Sequence, residues 1–198
     1  MTDNATHFYS YLAEGNIICR CKARTGAEVV SELARLLARN NAGLSAESIV
    51  SEVLAREAVF PTVIAPGLAV PHARLAELDK PLVALASSRD GIDFQAPETG
   101  PVKVVLMLLT PGDDPGLHLQ LLSALAKDFS TPGEIDKVAN LPDAGAVMAH
   151  FNGSDLTIPD YLRVRDVMTR KVTTVLEQDT LQRAIELFAV TGESEMPV

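Results

Sequence analysis

Apolar residues recur along this chain at two periods, and the switches between them lay out its elements. A first strand is expected over residues 17–21, where an i, i+2 spacing would put Cys19 and Cys21 on one face. Thr25-Gly-Ala-Glu28 is a capping-box pattern that opens a helix. Val29, Leu33, Leu36 and Leu37 form its stripe, and it ends near Asn40 to Gly43. Ser45 can cap a second helix with Ile49, Val50, Val53 and Leu54 on its apolar face, and Arg56 at its end. Leu68-Ala69-Val70 then reads as a short strand that closes on Pro71-His72. Residues 81–86 give another strand and residues 87–93 a turn. Residues 102–109, Val-Lys-Val-Val-Leu-Met-Leu-Leu, are the most apolar run and are expected at the centre of a sheet. After a Pro/Gly-rich loop over 111–116, a helix beginning near Leu117-His118 carries Leu121, Leu122, Leu125 and Phe129 inward. Shorter helices over 132–140 and 143–151 follow. Strands interleaved with helices give an α/β fold, and the short connections make its sheet mixed, flanked by helices.

Residues 152–163 read as a linker. Beyond it, Leu181, Ala184, Ile185 and Phe188 fall at i, i+3, i+4, i+7, a helix that Asp179 can cap. The expected domains are thus 1–151 and 164–198. The second supplies one amphipathic helix and two short strands, too little for a core of its own. Its apolar stripe is expected to pair with another chain or stay exposed.

With 198 residues, 47% hydrophobic and 22% charged, the chain is long and apolar enough to fold. No run reaches the ~18 apolar residues of a membrane span, so direct membrane insertion is not expected. The first residues show neither a basic nor an apolar signal region, which points to the cytoplasm. A net charge of -9 argues against nucleic acid, and leaves room for a basic protein partner. Cys19 and Cys21 are the only cysteines, too few for a structural zinc site, and read as core or half-buried thiols. No metal and no cofactor is expected.

The chemistry centres on residues 56–74. His72 follows a proline at the end of a strand, between rigid elements, where reactive side chains tend to be presented. Imidazole is uncharged near neutral pH and nucleophilic. Arg56-Glu57, Thr62, Ile64, Gly67, Ala69, Pro71 and His72 fall at the spacing found in the phosphotransferase-system IIA domains of the fructose/mannitol/nitrogen-regulatory type, which this stretch resembles. Val63 and Ala65 stand where that family usually has glycines. His118-Leu119-Gln120-Leu121-Leu122 approximates the family's second His before a Leu-rich helix.

The resemblance covers roughly residues 7–151. It implies that His72 attacks phosphorus through Nε2, its Nδ1–H held by a backbone or hydroxyl acceptor. Arg56 and His118 would be donors to the transferring group, which leaves the site mainly the task of positioning. Thr62 would orient a site group, and Glu57 would hold Arg56 or face solvent. Arg74 reads as a solvated cation at the rim, Asp113 and Asp114 as a solvated loop, and His7 and His150 as structural or surface residues. The implied phosphate donor is the carrier HPr, with a IIB domain or a regulatory protein downstream.

Val164-Arg-Asp-Val-Met-Thr and Asp179-Thr-Leu resemble the opening of a CBS domain, of which only the first half is present. The chain is therefore expected to be a piece of a longer protein, and this piece is not expected to bind AMP or ATP tightly, whatever the longer protein does. A CBS tail without IIB or IIC segments favours a regulatory role of the nitrogen-regulatory kind. The rival reading is a IIA-like sensor that has lost phosphotransfer, coupled to adenine-nucleotide sensing by a CBS pair. Val63 and Ala65 are the residues that support it.

Overall fold

The computed structural model describes residues 6–59, 61–96, 98–158, 172–192 and 197. In chain order the elements are β1 (Thr6–His7), a 3-10 turn (Phe8–Tyr11), β2 (Leu12–Ile18), α1 (Gly26–Asn40), α2 (Ala46–Val59), β3 (Val63–Ala65), β4 (Leu68–Ala69), β5 (His72–Leu75), β6 (Leu82–Ile92) and β7 (Val102–Pro111). Then come α3 (Pro115–Asp128), α4 (Glu134–Ala139), α5 (Ala144–Asn152), β8 (Thr157–Ile158) and α6 (Leu181–Thr191). The chain divides into two compact units, residues 1–162 and 163–198.

The first unit is built on a mixed sheet of order β2-β6-β7-β4-β3, in which β5 also pairs with β7. β6 runs antiparallel to β7, while β4 and β5 lie parallel to it, so β7 is central as its composition requires. Alternation along β7 explains its unbroken apolar run. Val105, Met107 and Leu109 join the core beneath α1 and α2, and Val104, Leu106 and Leu108 join the core beneath α3, α4 and α5. Both faces are covered, so neither needs polar residues. The capping box at α1 forms as read: Thr25 accepts from the Glu28 N–H, and the Glu28 carboxylate accepts from the Thr25 N–H.

Several expectations change. The strand expected over 17–21 is β2, which begins five residues earlier, at Leu12, and stops at Ile18, before either cysteine. Arg20 takes a left-handed φ of 57°, which turns the chain. Cys19 consequently packs on one core and Cys21 in the other, rather than both on one face. Residues 87–93 are not a turn. β6 continues through them to Ile92, with a register shift after Ser87 and Gly91 at φ 83°. The expected linker contains β8, which pairs with β1, and Leu156 and Ile158 are buried. Its apolar residues had a face to fill beside Phe8, whose N–H donates to the Leu156 carbonyl at 2.9 Å. Residues 159–163 lie outside the described residues.

In the second unit α6 forms where the stripe places it, but Thr180 rather than Asp179 is its cap. Thr180 Oγ1 accepts from the Arg183 N–H at 3.2 Å, while the Asp179 carboxylate accepts from the Leu176 N–H. The Val175 N–H donates to the Pro197 carbonyl. Leu181, Ile185 and Val190 are 78%, 59% and 84% exposed. The Asp-Val-Met-Thr stretch lies outside the described residues. No helix among the described residues is long and apolar enough to cross a membrane.

Candidate functional site

Arg56 and Glu57 stand in the last turn of α2. Three residues beyond the helix, Thr62 is buried and bound to Glu57 at two points. Its N–H reaches one carboxylate oxygen at 2.9 Å and its hydroxyl donates to the other. Glu57 therefore fixes the exit of the helix, instead of only facing solvent.

From Thr62 the chain folds into the β3–β4 hairpin through a Pro66-Gly67 corner. Gly67 has φ 87°, a conformation that glycine adopts without a steric penalty. Val63 and Ala65 sit in β3, paired with Ala69 and Leu68, and neither has a positive φ. Side chains larger than glycine thus fit the backbone there. The hairpin returns Val70 to Thr62, whose carbonyl accepts the Val70 N–H at 2.9 Å.

Pro71 has no N–H to give and separates β4 from β5. Its carbonyl accepts the Leu108 N–H, so both short strands stay on β7. His72 is the first residue of β5, in register with Leu108, rather than a loop residue beyond a strand end. Its Nδ1 lies 2.8 Å from the Val70 carbonyl. A carbonyl oxygen only accepts, so Nδ1 carries the hydrogen, and in the neutral ring Nε2 keeps its lone pair. Burial pushes His72 below the usual imidazole range, and the Arg56 cation adds to this. The Val70 carbonyl and Glu57 oppose it.

His118 lies in the first turns of α3, whose cap is Asp114, its Oδ1 accepting from the Leu117 N–H at 2.9 Å. Asp114 thus has a structural task and is not simply part of a solvated loop. The rings of His72 and His118 are 4.8 Å apart and inclined by 60°. His118 Nδ1 is 3.1 Å from the hydroxyl of Thr110, a fully buried residue of β7. Burial, and then the charges of His72, Arg74 and Arg56, push His118 down to about 4. Both imidazoles are therefore neutral at pH 7.

Arg56, His72, Arg74 and His118 line one open cleft, together with Glu52, Leu119 and Leu122. Arg74 is exposed at its rim, as read. Three of the five expected site residues are brought together directly, and Thr62 and Glu57 stand behind His72 through Val70. Sequence reasoning missed Thr110. A lone hydroxyl after eight nearly all-apolar residues of β7 was the signal that could have found it. His7 is exposed in β1, and His150 is an internal tie of the folded unit, its Nε2 2.6 Å from the Glu134 carboxylate. Among the described residues there is no group of three or more His, Cys, Asp or Glu side chains that could hold a metal ion.

The chain is similar to known proteins in sequence and in fold. The chain is 38% identical over 83 residues to the PTS system fructose-specific EIIA component of Haloferax volcanii, a match covering 42% of this chain and 54% of that one. It is 28% identical over 136 residues to the nitrogen regulatory protein of Pseudomonas aeruginosa, covering 69% of this chain and 88% of that one. The chain thus spans about half the length of the first relative and most of the second. Among solved structures, the nitrogen regulatory protein IIA-Ntr of Neisseria meningitidis superimposes with a TM-score of 0.67 at 28% identity, over 72% of this chain and 97% of that one. The family described as phosphoenolpyruvate-dependent sugar phosphotransferase system, EIIA 2, matches residues 10–153. With that match spanning both His72 and His118, the chain belongs to the EIIA 2 family of the phosphotransferase system.

Proposed function

We propose that this protein is a histidine phosphoryl carrier that accepts a phosphoryl group from phospho-HPr on Nε2 of His72. The observation that carries the reading is the bond from His72 Nδ1 to the Val70 carbonyl, which leaves the Nε2 lone pair on a buried, neutral ring in a cleft with two arginines. In the transfer, that lone pair attacks phosphorus as the N–P bond of the donor phosphohistidine breaks. The donor imidazole regains its lone pair, Nδ1 keeps its hydrogen, and no electrons are gained or lost. Charge on the equatorial oxygens is met by Arg56 and by His118, with Thr110 fixing the second ring and Glu57 and Thr62 supporting the first. No metal takes part in this step.

Similarity to nitrogen regulatory proteins supports a regulatory role, in which phosphorylation state is read by a protein partner in the cytoplasm or passed to a IIB domain. We read the tail from residue 164 as the first half of a CBS motif on the sequence of its Asp-Val-Met-Thr and Asp-Thr-Leu stretches, a reading that the helix α6 supports. The sensor reading is weakened by β3, where Val63 and Ala65 take ordinary strand geometry.

The test is incubation with phosphoenolpyruvate, the system's first enzyme and HPr. One acid-labile, base-stable phosphohistidine is expected, absent from His72→Ala. No labelling of the intact protein would leave the sensor reading in its place.

A further inference from the structure

The first unit has a second cleft, larger than the one that holds His72. Its wall is the segment that follows β2, where Arg20, Lys22 and Arg24 are exposed while Cys21 and Ala23 are buried. Over residues 21–24 that alternation is the period of an extended chain, so the buried Cys21 and Ala23 leave Lys22 and Arg24 on the open side, and Arg20, at the turn just before them, lines the same cleft. The segment is held at both ends. The Cys21 N–H donates to the Ser87 carbonyl at 2.7 Å, and the Arg24 carbonyl accepts the Asp93 N–H at 2.8 Å. Arg89, from the far end of β6, adds a fourth cation to the same wall.

Four of the 17 Lys and Arg residues thus meet in one hollow of a chain whose net charge is -9. Asp90 and Asp93 line it too, yet among the described residues no carboxylate lies within ion-pair distance of any of the four cations. The Asp93 carboxylate is occupied by the Gln95 N–H at 2.7 Å. Arg20 and Gln95 have positive φ values of 57° and 56° without being glycines, and both face this hollow. Four cations against two carboxylates, none of them within ion-pair distance of a cation, in a cleft of about 1000 Å³, fit a compact polyanion better than they fit solvent.

We propose that this cleft binds a small molecule carrying two or more phosphate groups. It is separate from the phosphoryl-transfer site. The hollow borders the start of β7, next to Pro101, whereas His72 pairs with Leu108, six residues on and roughly 20 Å along the strand at about 3.3 Å per residue.

Titration calorimetry of the whole chain with sodium tripolyphosphate, in a phosphate-free buffer of low ionic strength, tests it. Saturable 1:1 binding is expected, weakened at least tenfold in the double variant Lys22→Glu, Arg24→Glu. Both side chains are exposed, and unchanged thermal unfolding would show that the fold is kept. The His72→Ala variant should bind as well as the parent, as should Arg39→Glu, an exposed cation of α1 outside the cleft. Amide NMR shifts should appear at residues 20–24 and 88–91. GTP as a second probe separates the sources. Binding at least as tight as tripolyphosphate means a nucleoside phosphate is accepted, and weaker binding leaves inorganic phosphate chains as the ligand; the site stands either way. Absence of saturable binding overturns the proposal. So does equal loss in Arg39→Glu, or a response confined to His72 and His118.

Discussion

Glu57 and Thr62 are joined twice, backbone N–H to one carboxylate oxygen and hydroxyl to the other, across the exit of α2. Thr62 passes this anchorage on, because its carbonyl holds the Val70 N–H, and the Val70 carbonyl holds His72 Nδ1. A carboxylate that touches neither phosphate nor nucleophile thus fixes the ring that would react.

Glu57→Ala deprives two partly buried donors of their acceptor and should cost about 1–3 kcal/mol of stability. Thr62→Val, which loses only the hydroxyl bond, should cost about 1 kcal/mol. Urea unfolding measures both. Phosphoryl transfer to His72 should slow in each, more in Glu57→Ala, and equal rates in the two variants and the parent would refute the positional role.

Arg56→Ala and His118→Ala should keep the fold and slow transfer by on the order of tenfold to a thousandfold, the usual effect of removing a positioned donor. Single-turnover labelling by phospho-HPr reads this directly. Stable label on His118 in the His72→Ala protein would reverse the roles of the two rings.

The depressed His118 makes stability depend on acid. Its folded value of about 4 lies below the unfolded value near 6.5, so between them the unfolded chain binds the extra proton. Relative to a residue that does not titrate, stability is complete above about pH 6.5. It falls as the pH drops toward 4, by up to about 1.4 kcal/mol for each pKa unit of separation. His72, shifted in the same direction by burial, adds to the loss. Urea midpoints at pH 7, 5.5 and 4.5 should fall more steeply for the parent than for His118→Gln, and parallel lines would contradict the assignment.

The apolar face of α6 should make the chain self-associate. Leu181 and Ile185 are largely exposed, and a residue range of this size has little else to bury them with. Sedimentation should show association that rises with concentration and is lost in Leu181→Gln, Ile185→Gln. A parent chain that stays monomeric at high concentration would show that the face is otherwise satisfied.

What the sequence determined by itself was local. The capping box at Thr25, the stripes of α1 and α6 and the apolar run of β7 each depend on residues within a turn or a strand of one another, and the spacing from Arg56 to His72 was legible as a family motif rather than as a periodicity. Tertiary structure decided whatever depended on a distant partner. β6 runs past Ser87 because β7 lies beside it, and Thr157–Ile158 becomes a strand only because Thr6–His7 is there to pair with it. The two cysteines part company because Arg20 turns left-handed where the chain is pinned to Ser87. The support of the candidate site follows the same rule. Thr110 and His118 are eight residues apart, and Glu57 acts on His72 through a hairpin. Hydrogen bonds of that kind are fixed by how the strands register on β7, which no periodicity within a single segment encodes.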